Sequence, residues 1–168
     1  MIVIPEDTNL LQDVLDNGTL SWALIACGLA QFSKLLIEVV YYKRWRPAIL
    51  IETGGMPSSH SALVSGTAAG IGWEQGMNDP LFALSVAIAF IIMYDASGVR
   101  KAAGNISYRV NSLPDDVWNG IEPHPLKENL GHTRLEVLVG SLLGPTVVLS
   151  GLALEGSPLH IIHRFGWA

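Results

Sequence analysis

Four apolar stretches, each poor in charge, constrain this chain more than any other feature. They run from Leu20 to Tyr42, from Ser59 to about Gly72, from Leu81 to Tyr94 and from near Gly131 to about Leu154. The first is long enough to cross a bilayer at about 1.5 Å of rise per residue. The second is shorter and rich in small residues. Hydrophobic residues make up 49% of the chain and charged residues 15%, against about 25% charged in ordinary soluble domains. The expected fold is therefore all-α, an integral membrane bundle of about four transmembrane helices whose first partner is the lipid bilayer. Residues 1–168 read as a single membrane domain, with an acidic N-terminal arm over 1–19 and a long, proline-bearing connection over 102–131 that reads as loop with short helices. The acidic start (Glu6, Asp7, Asp13, Asp16) lacks the positive segment of a signal peptide, so the first apolar run is expected to stay in the mature protein.

Two function classes drop out early. A net charge of -5 argues against nucleic acid, which selects for basic patches. Cys27, the single cysteine, cannot form an internal disulfide and has no cysteine or histidine cluster near it, so it reads as a packed side chain.

The connections after the first and third spans lie on the same side of the membrane. With the adjoining span ends they carry Lys43, Arg44, Arg46, Arg100, Lys101, Arg109, Lys127 and Arg134, eight of the 10 Lys and Arg residues. By the positive-inside rule that side is cytoplasmic and both termini lie outside. Trp22, Tyr41 and Tyr42 suit the interfacial belts. Two small-residue faces, one over Gly66-Thr67-Ala68-Ala69-Gly70 and one at Gly140 and Gly144, allow close helix approach within one chain or between copies, so a homo-oligomer stays open.

Polar groups collect at this basic face. In the first span Gln31, Lys34 and Glu38 recur at intervals of three and four and share a helix face. Intramembrane charges usually face a bundle interior, paired or functional. Lys34 and Glu38 can form a structural ion pair, or Lys34, ~12 Å below the face, can reach up to it. Gly54-Gly55-Met56-Pro57-Ser58-Ser59-His60-Ser61 opens the second span. Pro57 suits a first helical turn, Ser58 or Ser59 can cap it, and the N–H groups and dipole of that end favour an anion such as phosphate. His60 would stand beside that anion, suited to proton transfer. The bland alternative is a glycine-rich turn with a histidine facing water.

Asp95 and Arg100 end the third span on the same side, and His132 and Glu136 open the fourth. A carboxylate four residues from a histidine shares its helix face, fixes its tautomer and raises its basicity, as at nucleophilic sites. Alternatively, Glu136 serves the helix dipole and His132 is an interfacial cap. Asp95 can accept a proton, orient a base, bind a metal or simply pair with Arg100. A metal site built from His60, Asp95, His132 and Glu136 is the weaker reading. His124, His160 and His163 read as surface residues.

Pro57-Ser58-Ser59-His60 resembles the P-S-G-H motif of the type 2 phosphatidic acid phosphatases, whose fold is shared with vanadium-dependent haloperoxidases. Gly131-His132-Thr133-Arg134-Leu135-Glu136-Val137 with Gly140 resembles that superfamily's H-x-x-x-D motif. Together with Tyr94-Asp95-Ala96-Ser97-Gly98-Val99-Arg100 and Lys127-Glu128-Asn129-Leu130, these stretches look like a divergent branch of the superfamily, over roughly Gln31 to Gly144. The resemblance implies a membrane phosphatase, a hydrolase in which His132 attacks phosphorus, Glu136 orients its ring and His60 protonates the leaving alcohol. Backbone N–H groups around Ser58 and Ser59, with cations drawn from Lys34, Lys43, Arg46, Arg100 and Lys127, would hold the phosphate. No metal or other cofactor is expected in that mechanism.

The chain departs from the pattern in several places. Of the K-x6-R-P motif, Arg46-Pro47 is present but Val39 holds the lysine position, leaving Lys34 or Lys43 as substitutes. The S-R pair is missing, with Leu126 six residues before His132 and Lys127 the nearest cation. Ser59 replaces glycine, Glu136 replaces aspartate, and four spans replace the usual six. The function expected from residues and resemblance is hydrolysis or transfer of a phosphate monoester or diphosphate, the substrate class extending to lipids, through a phosphohistidine. The alternative is a non-catalytic protein that binds or transports an anion and retains the pocket.

Overall fold

A computed structural model describes residues 10–50, 54–114, 117 and 124–157. The described residues form helices and no strands: α1 (Leu10–Asp16), α2 (Gly18–Val40), a 3-10 turn (Pro47–Leu50), α3 (Ser59–Glu74), α4 (Pro80–Ser97), α5 (Val99–Asn111) and α6 (Arg134–Glu155). The four expected spans correspond to α2, α3, α4 and α6. His160 and His163 lie outside the described residues, as do Glu6 and Asp7, while His124 is exposed.

Each long helix starts where the local sequence provides a cap. The Asn17 side chain accepts from the Leu20 N–H at 2.9 Å. Asp79 does the same for Leu81 at 2.7 Å, with Pro80 directly after it. Such caps satisfy N–H groups that the helix leaves without partners. Three helices are long and apolar enough to cross a membrane: α2, α4 with its continuation α5, and α6. The fourth, α3, has 16 residues, or ~24 Å against a hydrocarbon thickness of ~30 Å. It is the central element, packed against α2, α4 and α6. α5 is a longer helix than the short ones expected in the 102–131 connection. It continues α4 past a bend at Gly98 and presents its buried Gly104 to the backbone of Glu128 and Leu130.

The α3–α6 contact is made by backbone against backbone. A Cβ on Gly140 would strike the Ser58 carbonyl, and one on Gly144 would strike the Ala62 carbonyl. Gly66 meets Val148 and Gly144 from the other helix. Small residues permit this approach; the two small-residue faces meet inside one chain at Gly66 and Gly144, while Gly70 is turned to Thr19 of α2. On the side away from the site, Trp22 covers Gly151 and its indole N–H donates to the Gly156 carbonyl at 2.9 Å.

Candidate functional site

α3 begins at Ser59, with Ser58 as its N-cap. Pro57 therefore precedes the cap, joined to Met56 by a cis peptide bond, rather than entering the first turn as its chemistry alone suggested. Ser58 Oγ accepts from the Ser61 N–H at 3.3 Å and from the Ser61 hydroxyl at 2.9 Å. The Ser58 N–H donates to the Glu136 carbonyl at 3.0 Å. The wholly buried Ser58 thus caps α3 with its hydroxyl and ties it to α6 through its N–H. Ser59 and His60 follow, and their N–H groups belong to the first turn that a helix leaves without internal partners.

At the start of α6 the cap is Thr133, not His132. Thr133 Oγ1 accepts from the Glu136 N–H at 3.3 Å, and Glu136 Oε2 accepts from the Thr133 N–H at 3.1 Å, closing a reciprocal capping box. The same Oε2 lies 3.1 Å from His132 Nδ1. One carboxylate therefore both caps a helix and sits against a histidine, and His132 is not the cap that the bland reading made it. The Thr133-x-x-Glu136 spacing was visible in the sequence and is the signal that identifies the true cap.

His132 is only 3% exposed. Its N–H donates to the Ala96 carbonyl at 2.9 Å, which ties it to the end of α4. Gly131 before it has φ of 73°, and a Cβ there would run into the Ala96 carbonyl and the backbone of Arg100 and Lys101. Only glycine lets the chain turn this close to the α4–α5 junction. Burial is the main influence on the His132 imidazole and pushes its pKa below the ordinary histidine value, helped by the charge of Lys34. The Glu136 hydrogen bond and charge and a hydrogen bond to the Gly55 backbone pull the other way. The ring is held by the Glu136 carboxylate on one side and the glycine turn on the other.

His132 shares a cavity of about 190 Å³ with His60, Asp95, Arg100 and Gly131, walled by Ile91, Ile92 and Ala96. Four residues expected to gather at one membrane face thus meet around a single small space, with Glu136 immediately behind His132. Asp95 forms an ion pair through Oδ2 with Arg100 Nε, the structural option weighed for it. Lys34, 3% exposed, does not line the cavity. It lies beside Gly55, and its charge acts on His60, His132 and Glu136. The carboxylate that acts on it is Glu136, across the bundle, and not Glu38 on its own helix. Gln31, on the same face of α2, instead anchors the 3-10 turn by donating to the Leu50 carbonyl at 3.0 Å. Lys43, Arg46 and Lys127 are exposed and do not line the cavity. Among the described residues, no three His, Cys, Asp or Glu side chains gather as a metal-binding group.

Sequence reasoning missed the contribution of backbone. The Gly55 contact with the imidazole and the Ala96 carbonyl under the His132 N–H carry no side-chain signature. The paired glycines with φ of 102° at Gly54 and 78° at Gly55 were the available hint.

Fold and site together define an all-α integral membrane protein with a carboxylate-supported histidine that shares a small cavity with a second histidine. The chain belongs to the Divergent PAP2 family, whose model matches residues 15–147. It is 36% identical over 150 residues to a Bacillus subtilis (strain 168) protein described as "Uncharacterized membrane protein YuiD", an alignment covering 82% of this chain and 95% of that one. No solved structure matches the chain.

Proposed function

We propose that this protein is a membrane-embedded phosphatase or phosphotransferase acting on a phosphate monoester or diphosphate, lipids included, through a phosphohistidine. The observation that carries the reading is the buried His132, held through Nδ1 by Glu136 at 3.1 Å and sharing its cavity with His60. With Nδ1 held by the carboxylate, Nε2 is the nitrogen that attacks, its lone pair offered to phosphorus once substrate replaces the Gly55 backbone as the ring's second partner.

In the first step Nε2 forms a bond to phosphorus as the ester P–O bond breaks, and the leaving oxygen takes a proton from His60. In the second, a water gives a proton back to His60 and attacks the phosphohistidine, releasing phosphate and restoring the His132 lone pair. Glu136 stabilises the imidazolium-like charge of the intermediate. Arg100, with the N–H groups at the start of α3, offsets charge growing on the equatorial oxygens, and Lys34 adds positive potential from behind. Asp95 orients Arg100. The excess of basic residues at this end supports a site at the cytoplasmic face.

The test is phosphate release by detergent-purified protein from a panel of lipid phosphates and diphosphates, with EDTA present, compared with His132→Ala. Release that resists EDTA and disappears in the mutant is expected. Equal silence of wild type and mutant on every substrate overturns the catalytic reading. Vanadate, which mimics the phosphoryl transition state, should then raise thermal stability no more than phosphate does; an enzyme would bind it much more tightly.

A further inference from the structure

Residues 126–131 lead directly into His132 and form neither helix nor strand, so their backbone polar groups need other partners. Within the segment the Leu130 N–H donates to the Glu128 carbonyl at 2.8 Å. Further support comes from one face of α5. Asn111, Gly104 and Lys101 fall on a single stripe of that helix, and each meets a successive part of the segment.

Asn111, the last residue of α5, accepts from the Leu126 N–H through Oδ1 at 2.9 Å. Its Nδ2 donates to the Leu126 carbonyl at 2.8 Å and to Glu128 Oε1 at 2.7 Å. Nearer the site, Gly104 lies against the Glu128 carbonyl and the backbone of Leu130, where a Cβ would collide. Gly131 then rests on the Lys101 backbone, and the His132 N–H reaches the Ala96 carbonyl. The segment thus runs antiparallel to α5, from the far end of that helix to the α4–α5 junction. At the near end backbone alone holds it. At the far end one side chain does, and its chemistry is specific: a primary amide both donates and accepts, whereas a carboxylate only accepts.

We propose that Asn111 is a positioning residue for His132: its amide clamps residues 126–131 to α5, and the clamped segment fixes the imidazole against Glu136 in the cavity. Asn111 does not itself line the cavity, so it acts through the segment. The kinetic consequence rests on the phosphatase reading of His132, whereas the structural one does not. Misplacing a reacting group by ~1 Å can cost ~10²-fold in rate. Glu128, part of the Lys127-Glu128-Asn129-Leu130 stretch noted in the sequence, becomes the second half of the clamp.

The test uses full-length detergent-purified protein with two readouts, phosphate release from the lipid phosphate panel and the imidazole nitrogen resonances of His132. Those resonances are assigned by their loss in His132→Ala. Asn111→Asp keeps the acceptor for the Leu126 N–H, removes both donors and sets a carboxylate against Glu128. Its kcat should fall roughly tenfold or more with KM unchanged, and the His132 resonances should move. Combining Asn111→Asp with Glu128→Gln restores the bond between the two side chains with its direction reversed. That double variant should recover most of the rate and return the resonances toward wild type, as coupled partners do. Asn105→Ala, an exposed position on another face of α5, should alter neither readout. If Asn111→Asp does not fold, Gly104→Ala lifts the segment by a different route and should shift the same resonances. Unmoved resonances in a folded clamp variant overturn the proposal, as does a loss that the double variant fails to repair. A raised KM at constant kcat also overturns it, because the segment then serves binding rather than the nucleophile. Silence of wild type on every substrate, with the resonances moving as described, overturns the phosphatase reading alone. Wild-type release that Asn111→Asp leaves intact, with resonances unmoved, overturns the clamp alone.

Discussion

The two flanks of α6 meet their neighbours in opposite ways. Toward α3 the contact is backbone on backbone, with Gly140 over Ser58 and Gly144 over Ala62. Toward α4 the helices stand apart across an open groove edged by Leu138 and Ser141. The apolar residues are the larger ones on the open side, so apolar character is not what brought the first pair together. Lipid tails are as apolar as leucine, and helices in a bilayer associate through close packing and hydrogen bonds instead. The locked flank is also where the candidate chemistry is held. The Ser58 N–H donates to the Glu136 carbonyl, so the α3 cap bearing His60 and the α6 cap supporting His132 are fixed to one another.

The comparison can be broken most severely at Glu136. Glutamine preserves the capping box but removes the charge that supports the His132 imidazole. Phosphate release by Glu136→Gln should fall by on the order of 10²–10⁴-fold, with thermal stability nearly unchanged. The pH profile should shift too. In the proposed mechanism His132 attacks as the neutral ring, and burial holds its pKa below the ordinary histidine value, so wild-type activity should decline on acidification only below that range. Because Glu136 pulls this pKa upward, its neutralisation should move the acid limb to still lower pH.

Next in size is the locked flank itself. Gly140→Ala or Gly144→Ala puts a methyl into facing backbone and should cost about 1–3 kcal/mol, read as a drop in midpoint during denaturant unfolding in detergent, with activity lost in parallel. Thr133→Ala removes the hydroxyl that accepts from the Glu136 N–H and should cost about 1 kcal/mol. On the open flank, Leu138→Ala should change stability by less than about 0.5 kcal/mol. A cost at Leu138 as large as at Gly140 would erase the distinction between the flanks.

Much of this architecture was legible before any coordinates. The four apolar runs correspond to α2, α3, α4 and α6, each starting within a few residues of its expected position. The four-residue spacing of His132 and Glu136 pointed to their contact, but His132 precedes the Thr133 cap, so it is the capping-box carboxylate reaching back, and not a shared helix face, that makes it. Other readings needed the third dimension. The spacing of Lys34 and Glu38 allowed an ion pair, yet Lys34 is drawn to Glu136 on another helix. Pro57 fits a first helical turn in general, but the Ser58 cap displaced it by two positions. Of the five candidate cations, only Arg100 lines the cavity and only Lys34 stands close behind it.

The sequence by itself determined that this is a bundle of membrane helices, roughly where the four apolar ones lie, and which end of the bundle gathers polar chemistry. These are local properties: apolar length, side-chain periodicity and capping are decided within a turn or a span. Only the tertiary structure decided that the two small-residue faces belong to each other within one chain. It alone placed Gly55 and Ala96 backbone atoms against His132, and opened a groove beside α4. The reason is physical. A bilayer solvates every apolar face about equally, so hydropathy cannot choose between helix pairs. The choice falls to shape, and shape becomes legible only when two surfaces are brought together.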